Sequence, residues 1–163
     1  MNHVLLIPHD EAKPVKVIDV RTINEAMGAV SGPLERLCLG PRAEELFVNE
    51  HAIKLHIPVN RRATVLMWLW WPASRPAAHV CGDALLTGGV DKIGMPLPLD
   101  PDKIDLITKH DTYCAEFETV EAPSIYTANR RHWPDYFTAA AHAVKTARDW
   151  TLVTDARVMP CAA

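Results

Sequence analysis

Two pairs of adjacent arginines stand beside aromatic residues in this chain, and each pair could hold an anion. Asn60-Arg61-Arg62-Ala63-Thr64 sets a capping asparagine and two guanidinium groups at the start of an apolar helical segment. Amides at a helix start lack intrahelical partners and carry partial positive charge, and arginine forks grip phosphate or carboxylate bidentately. A structural cap with two solvated arginines on the rim of the core is the leading alternative, because helix starts are common and mostly empty. Positive side chains at that end oppose the helix dipole, and this keeps the anion site in play. Arg130-Arg131-His132-Trp133 is the second cluster. It could offer phosphate contacts and one stacking ring to a nucleic acid. With 17 basic against 20 acidic residues in the chain, its structural role leads, Trp133 fastening the helix that follows.

Other residues suggest other chemistry. Gly82-Asp83 could supply a catalytic carboxylate, although this pair more often makes a turn or bulge, and sequence cannot show whether Asp19, Glu50 or Asp91 joins it. A hydrolase built on Asp83 is therefore carried as a minor alternative. No nucleophile elbow, glycine-rich phosphate loop or H-E-x-x-H is present. His79-x-Cys81 and His110-x-x-x-Cys114 are the close His/Cys pairs, and neither has the spacing of a zinc site, so no metal and no other cofactor is expected. Trp68, Trp70 and Trp71 follow the first arginine pair. Successive side chains on a short helix point in different directions, so the three indoles cannot make one stacking platform. Core packing outweighs ligand stacking, and an indole left exposed would suit a protein interface.

These residues need elements to position them. "HVLLIP" and "VKVIDV" read as two strands joined by a polar turn. Thr22 and Glu25 form a capping box for a helix that ends before Ser31-Gly32-Pro33. "LERLCL" reads as a half-buried strand, and "ELFVNE" with "AIKLHI" as a strand pair turning near Asn49-Glu50. Asn60 caps a helix over Arg61 to Trp71, apolar on nearly every side and stopped by Pro72. "HVCGDALLTGG" reads as a strand with a turn at Gly82-Asp83, followed by a Pro-rich loop and a short helix from Lys103 to Lys109. "TYCAEFETV" alternates as a strand does. "WPDYFTAAAHAVKTARDW" puts Tyr136, Phe137, Ala140, Ala141, Val144 and Ala147 on one helical face, and "TLVTDARVMP" closes with a strand.

The class is α+β, a single domain with a mostly antiparallel sheet and two or three packed helices. Its parts are 1–90, a loop and short helix over 91–111, and a strand–helix–strand extension over 112–163. A chain of 163 residues, 48% hydrophobic and 23% charged, suits one ordinary globular core. The net charge of −3 argues against a general polyanion binder and against a DNA mimic. No secretory leader is expected at "MNHVLLIPHDEAKP", and the longest apolar run is about half the ~20 residues of a membrane span. A cytoplasmic setting follows, with Cys38, Cys81, Cys114 and Cys161 as free thiols.

From Val4 to Gly88 the chain resembles a family of small phage and mobile-element proteins known as a domain of unknown function. The likeness is carried by "VNE" at Val48 to Glu50, "IPVNRRAT" at Ile57 to Thr64 and "GDALLTG" at Gly82 to Gly88. Look-alikes in actinobacterial phages also bear a tail similar to "HWPDYFTAAAHAVKTARDWTLVTDARVMP", whereas the tryptophan-rich "MWLWWPASRPAAHV" departs from the pattern. The resemblance implies a phage origin and no particular reaction. The expected function is a non-enzymatic accessory protein that binds a host protein or itself through the apolar patch at Trp68 to Trp71. A binder of an anionic small molecule or nucleic acid through Arg61, Arg62, Arg130 and Arg131 is the alternative.

Overall fold

The structure is a computed structural model that describes residues 2–161. Its contacts divide the chain into two compact units, Met1–Ile104 and Asp105–Ala163, the boundary falling inside one short helix.

In the first unit, β1 (His3–Ile7) and β2 (Lys16–Asp19) form the expected hairpin, followed by α1 (Ile23–Val30). Thr22 Oγ1 accepts the Glu25 N–H while the Glu25 carboxylate accepts the Thr22 N–H, so the capping box closes as its sequence signature predicts. The helix ends at Ser31 in the left-handed conformation. β3 (Leu34–Cys38), β4 (Glu45–Asn49), α2 (Arg61–Trp70) and β5 (Ala84–Thr87) complete the layer. The five strands run in the order β2-β1-β5-β4-β3, and each of the four pairings is antiparallel.

Register decides which side chains meet. Phe47 lies opposite Leu85, and with Val4 they meet Val20, Ala26 and Val30, so one sheet face closes on α1. Leu5, Leu86 and Leu46 align across three strands on the other face and are fully buried. Each such side chain stabilises the fold by about 1.5–3 kcal/mol. α2 buries Ala63, Leu66, Met67, Leu69 and Trp70, which covers more than one side of the helix, as its composition required.

One expected strand is absent. "AIKLHI" does not pair with β4, because both edges of β4 are already taken by β3 and β5. The segment bonds to itself instead: Leu55 N–H donates to His51 O, His56 N–H to Ile53 O and Ile57 N–H to Ala52 O. His56 sits at φ +53°, which turns the chain back toward α2.

α3 (Pro101–Thr108) carries the unit boundary. In the second unit β6 (Tyr113–Thr119) is central, between β7 (Ala122–Ala128) and β8 (Val153–Pro160), with α4 (Tyr136–Asp149) packed on it. The rings of Tyr113 and Tyr136 meet edge to face at 5.8 Å. α4 buries Tyr136, Phe137, Ala139, Ala140, Ala143 and Val144. Ala139 and Ala143 replace the expected Ala141, which is exposed, so the buried stripe is rotated from the one read by periodicity. β7 was not anticipated, and the expectation of four free thiols is corrected. Cys114 and Cys161 are joined in a disulfide, while Cys38 and Cys81 are free. Pairing of β6 with β8 brings the two together across 47 positions of sequence.

The class is α+β with antiparallel sheets, as read from the sequence. Among the described residues no helix is long and apolar enough to cross a membrane.

Candidate functional site

Asn60 is the centre of the arginine motif, and it is fully buried. Its Nδ2 donates to Ile7 O at 2.8 Å and Gly82 O at 2.9 Å, and its Oδ1 accepts the Ala63 N–H at 3.0 Å. The carboxamide thus caps α2 and ties it to the ends of β1 and β5. Backbone bonds from Asn60 N–H to Val80 O and from Gly82 N–H to Pro58 O lace the same segments together. Thr64 Oγ1 accepts the Val80 N–H at 3.0 Å. Asn60 and Thr64 are therefore occupied by the fold.

The two arginines differ. Arg62 Nη2 lies 2.8 Å from Pro8 O, 2.9 Å from Asp10 O and 3.0 Å from Lys13 O. One guanidinium nitrogen staples the turn between β1 and β2, and the buried Nε has no partner among the described residues. Arg61 points to solvent. Only one guanidinium of the pair is thus presented to an anion at this helix start.

The motif pieces also bring an imidazole to a carboxylate. Gly82 takes φ +75°, a left-handed turn that glycine adopts without steric cost, and Asp83 follows it. Asp83 Oδ1 accepts the His9 backbone N–H at 2.9 Å and lies 2.7 Å from His9 Nδ1. Both side chains are partly exposed, His9 at 30% and Asp83 at 26%. A carboxylate on Nδ1 selects the tautomer that leaves Nε2 as an acceptor, the arrangement a general base needs. His9 escaped the sequence reading, since 74 positions separate it from Asp83 and no spacing rule links them. The available signal was its place directly after a buried strand, in "LLIPHD".

Of the three tryptophans Trp70 is buried, while Trp68 and Trp71 are partly exposed and held by contacts within the chain. Trp68 Nε1 donates to Ala78 O at 2.8 Å, and its ring meets His79 edge-on at 5.2 Å. Trp70 is 9% exposed and lies under the Arg42 guanidinium, 5.0 Å from the ring centre. Trp71 lies over Gly40, where its ring would stand 2.7 Å from an added Cβ. The exposed apolar side chains of this region are instead Ile53 at 75%, Leu55 at 63% and Val59 at 44%, in the loop leading into α2.

Arg130 and Arg131 belong to the second unit and are exposed. The Arg131 N–H donates to Asn129 Oδ1 at 3.3 Å. Trp133 exchanges both backbone bonds with Tyr113, and its ring lies 4.5 Å from that of His142, tilted by 31°. Trp133 therefore fastens the loop to the sheet and to α4, the structural role its sequence suggested. Burial first, then the charges of Arg131 and Lys145, lower the pKa of His142 below its ordinary value.

No curated protein matches this chain, and no solved structure does. A family model described as "Domain of unknown function (DUF3846)" matches residues 1–112, a span that includes the whole laced core of Asn60, Arg62, Gly82 and Asp83. With more than half of its length matched, the chain belongs to this family of domains of unknown function.

Proposed function

We propose that this chain is a non-enzymatic accessory protein of phage origin that docks on a host protein, or on a second copy of itself, through the loop from Ile53 to Val59. The observation that carries this is the exposure of Ile53, Leu55 and Val59, at 75%, 63% and 44%, on a loop braced by its own backbone bonds. Apolar side chains held outward on an ordered segment suit an interface, since little conformational freedom remains to be lost on docking. The resemblance of "VNE", "IPVNRRAT" and "GDALLTG" to phage and mobile-element proteins is what suggests the origin. The surface differs from the tryptophan patch expected from sequence, but the kind of binding is the same.

The test is a double variant, Ile53→Asp with Leu55→Asp. Sedimentation of the pure protein reads self-association, and capture from host lysate followed by reconstitution with the purified partner reads heterologous binding. The variant should lose whichever association the wild type shows while unfolding at the same denaturant concentration. Identical association by both proteins would overturn the proposal.

A second reading rests on the His9–Asp83 pair, a general base that could activate water for hydrolysis. It requires activity against a panel of ester and phosphoester substrates that His9→Gln and Asp83→Asn both abolish. Equal turnover by wild type and variants would remove it.

A further inference from the structure

We propose that the second unit holds a redox-gated site for a thiophilic divalent cation, with zinc as the natural occupant, formed by Cys114, Cys161 and His132 once the disulfide is reduced. Backbone register places these residues together. Cys114 lies opposite Met159 on β8, and the Cys161 N–H donates to Thr112 O, so Cys161 stands two residues beyond Met159 on the same side. On the other edge of β6, Tyr113 bridges antiparallel to Trp133, which sets His132 across from Cys114. The edge-to-face contact of Tyr113 with Tyr136 and the tilted contact of Trp133 with His142 turn those neighbours toward α4, and the alternating residues Cys114 and His132 go to the opposite face. The two sulfurs and an imidazole nitrogen all lie within 4.8 Å of one another.

The two sulfurs are bonded to each other in the disulfide, and reduction lets them part toward the spacing a metal requires. A tetrahedral zinc with Zn–S of about 2.3 Å and Zn–N of about 2.0–2.1 Å separates its ligand atoms by roughly 3.5–3.8 Å. His132 is exposed on a loop, so rotation of its side chain can supply the remaining adjustment. Two thiolates and a neutral imidazole are soft and borderline donors that select zinc over magnesium or calcium. Three protein ligands leave the fourth position to water, the pattern of an open rather than a closed zinc site.

A dithiol reductant gives two electrons and two protons to the Cys114–Cys161 bond, which breaks to two thiols while the reductant closes to its own disulfide. On metal binding each thiol releases its proton to solvent, and His132 coordinates through a ring-nitrogen lone pair without losing one. Oxidation by a disulfide reverses the sequence and expels the metal. Disulfide and metal site thus exclude each other.

The experiment uses the full chain, reduced with dithiothreitol, desalted without oxygen, and titrated with cobalt and then zinc. The expected result is an intense sulfur-to-cobalt charge-transfer band saturating at equimolar metal, bleached by zinc, and absent from the oxidised protein. Cys38→Ser and Cys81→Ser should keep the band, Cys114→Ser and Cys161→Ser should lose it, and His132→Ala should weaken binding by at least about tenfold. Because His132 is exposed, its variant should fold normally, and circular dichroism checks this. A reduced wild type without the band, equal affinity in His132→Ala, or loss of the band in Cys38→Ser or Cys81→Ser would each overturn the proposal.

Discussion

Asp83 holds His9 twice through a single oxygen, accepting its backbone N–H at 2.9 Å and lying 2.7 Å from its Nδ1. The turn after β1 and the turn at Gly82 before β5 are thereby locked to each other. Arg62 reinforces the same turn from α2 by reaching the carbonyls of Pro8, Asp10 and Lys13. Asn60, Arg62 and Asp83 of the family-like motifs all bond to the segments around this turn, so their polar atoms are engaged chiefly by the chain.

Replacing Asp83 with Ala should free His9 without unfolding the protein. The lost bonds are partly exposed, so the expected cost is about 1 kcal/mol. The sharper readout is the imidazole itself. Long-range proton–nitrogen spectra of the neutral ring should show the Nδ1–H tautomer in the wild type and a mixture in Asp83→Ala. The same mixture in both proteins would show that the contact does not set the tautomer.

Asn60→Ala should be far more damaging. It leaves the carbonyls of Ile7 and Gly82 and the N–H of Ala63 without their partner, in a place where Asn60 is fully buried. Loss of a cap and unsatisfied buried groups together predict about 3 kcal/mol of destabilisation in urea unfolding. Asn60→Asp should not rescue it, since a carboxylate can cap α2 but cannot donate to the two carbonyls. A variant of near wild-type stability would contradict this role.

Two glycines provide a paired test of the tryptophan region. Gly40 has φ +73°, and a Cβ there would meet Trp71 Cδ1 at 2.7 Å, whereas a Cβ at Gly28 in α1 would meet nothing within 4 Å. Gly40→Ala should cost about 1–2 kcal/mol from backbone handedness alone and shift the Trp71 indole N–H resonance. Gly28→Ala should gain up to about 1 kcal/mol, because alanine suits a helix interior better than glycine does. Melting both variants beside the wild type reads the signs, and an unmoved Trp71 indole resonance in Gly40→Ala would refute the packing of Trp71 on Gly40.

Local signals in the sequence read correctly where the physics is local. The Thr22–Glu25 box and the Asn60 cap each depend on residues within one helical turn, and both formed as written. "AIKLHI" alternates apolar residues as a strand would, but both edges of β4 are occupied by β3 and β5, and Ile53 and Leu55 face solvent. β7 went unseen for the converse reason. It is an edge strand, exposed along much of its length and containing Pro123, so no buried face imposes a pattern on it. His9 beside Asp83 and His132 beside Cys114 and Cys161 are products of register between distant segments, which no spacing within either segment encodes.

His142 Nε2 accepts from Asn129 Nδ2 at 3.0 Å and from the Thr146 hydroxyl at 3.3 Å, and Trp133 covers the ring. Burial, then Arg131 and Lys145, lower its pKa below the ordinary 6.5. The unfolded chain therefore binds this proton more readily than the folded one. The contribution is fully present above 6.5 and is lost as pH falls from 6.5 through the lower folded value. Thermal melts taken from about pH 7.5 down to about pH 5.5 should show the wild type losing stability more steeply than His142→Gln, whose amide oxygen accepts a hydrogen bond but does not titrate. Other histidines contribute equally to both proteins, so the difference in slope isolates this one. Parallel slopes would mean that folding does not lower the His142 pKa.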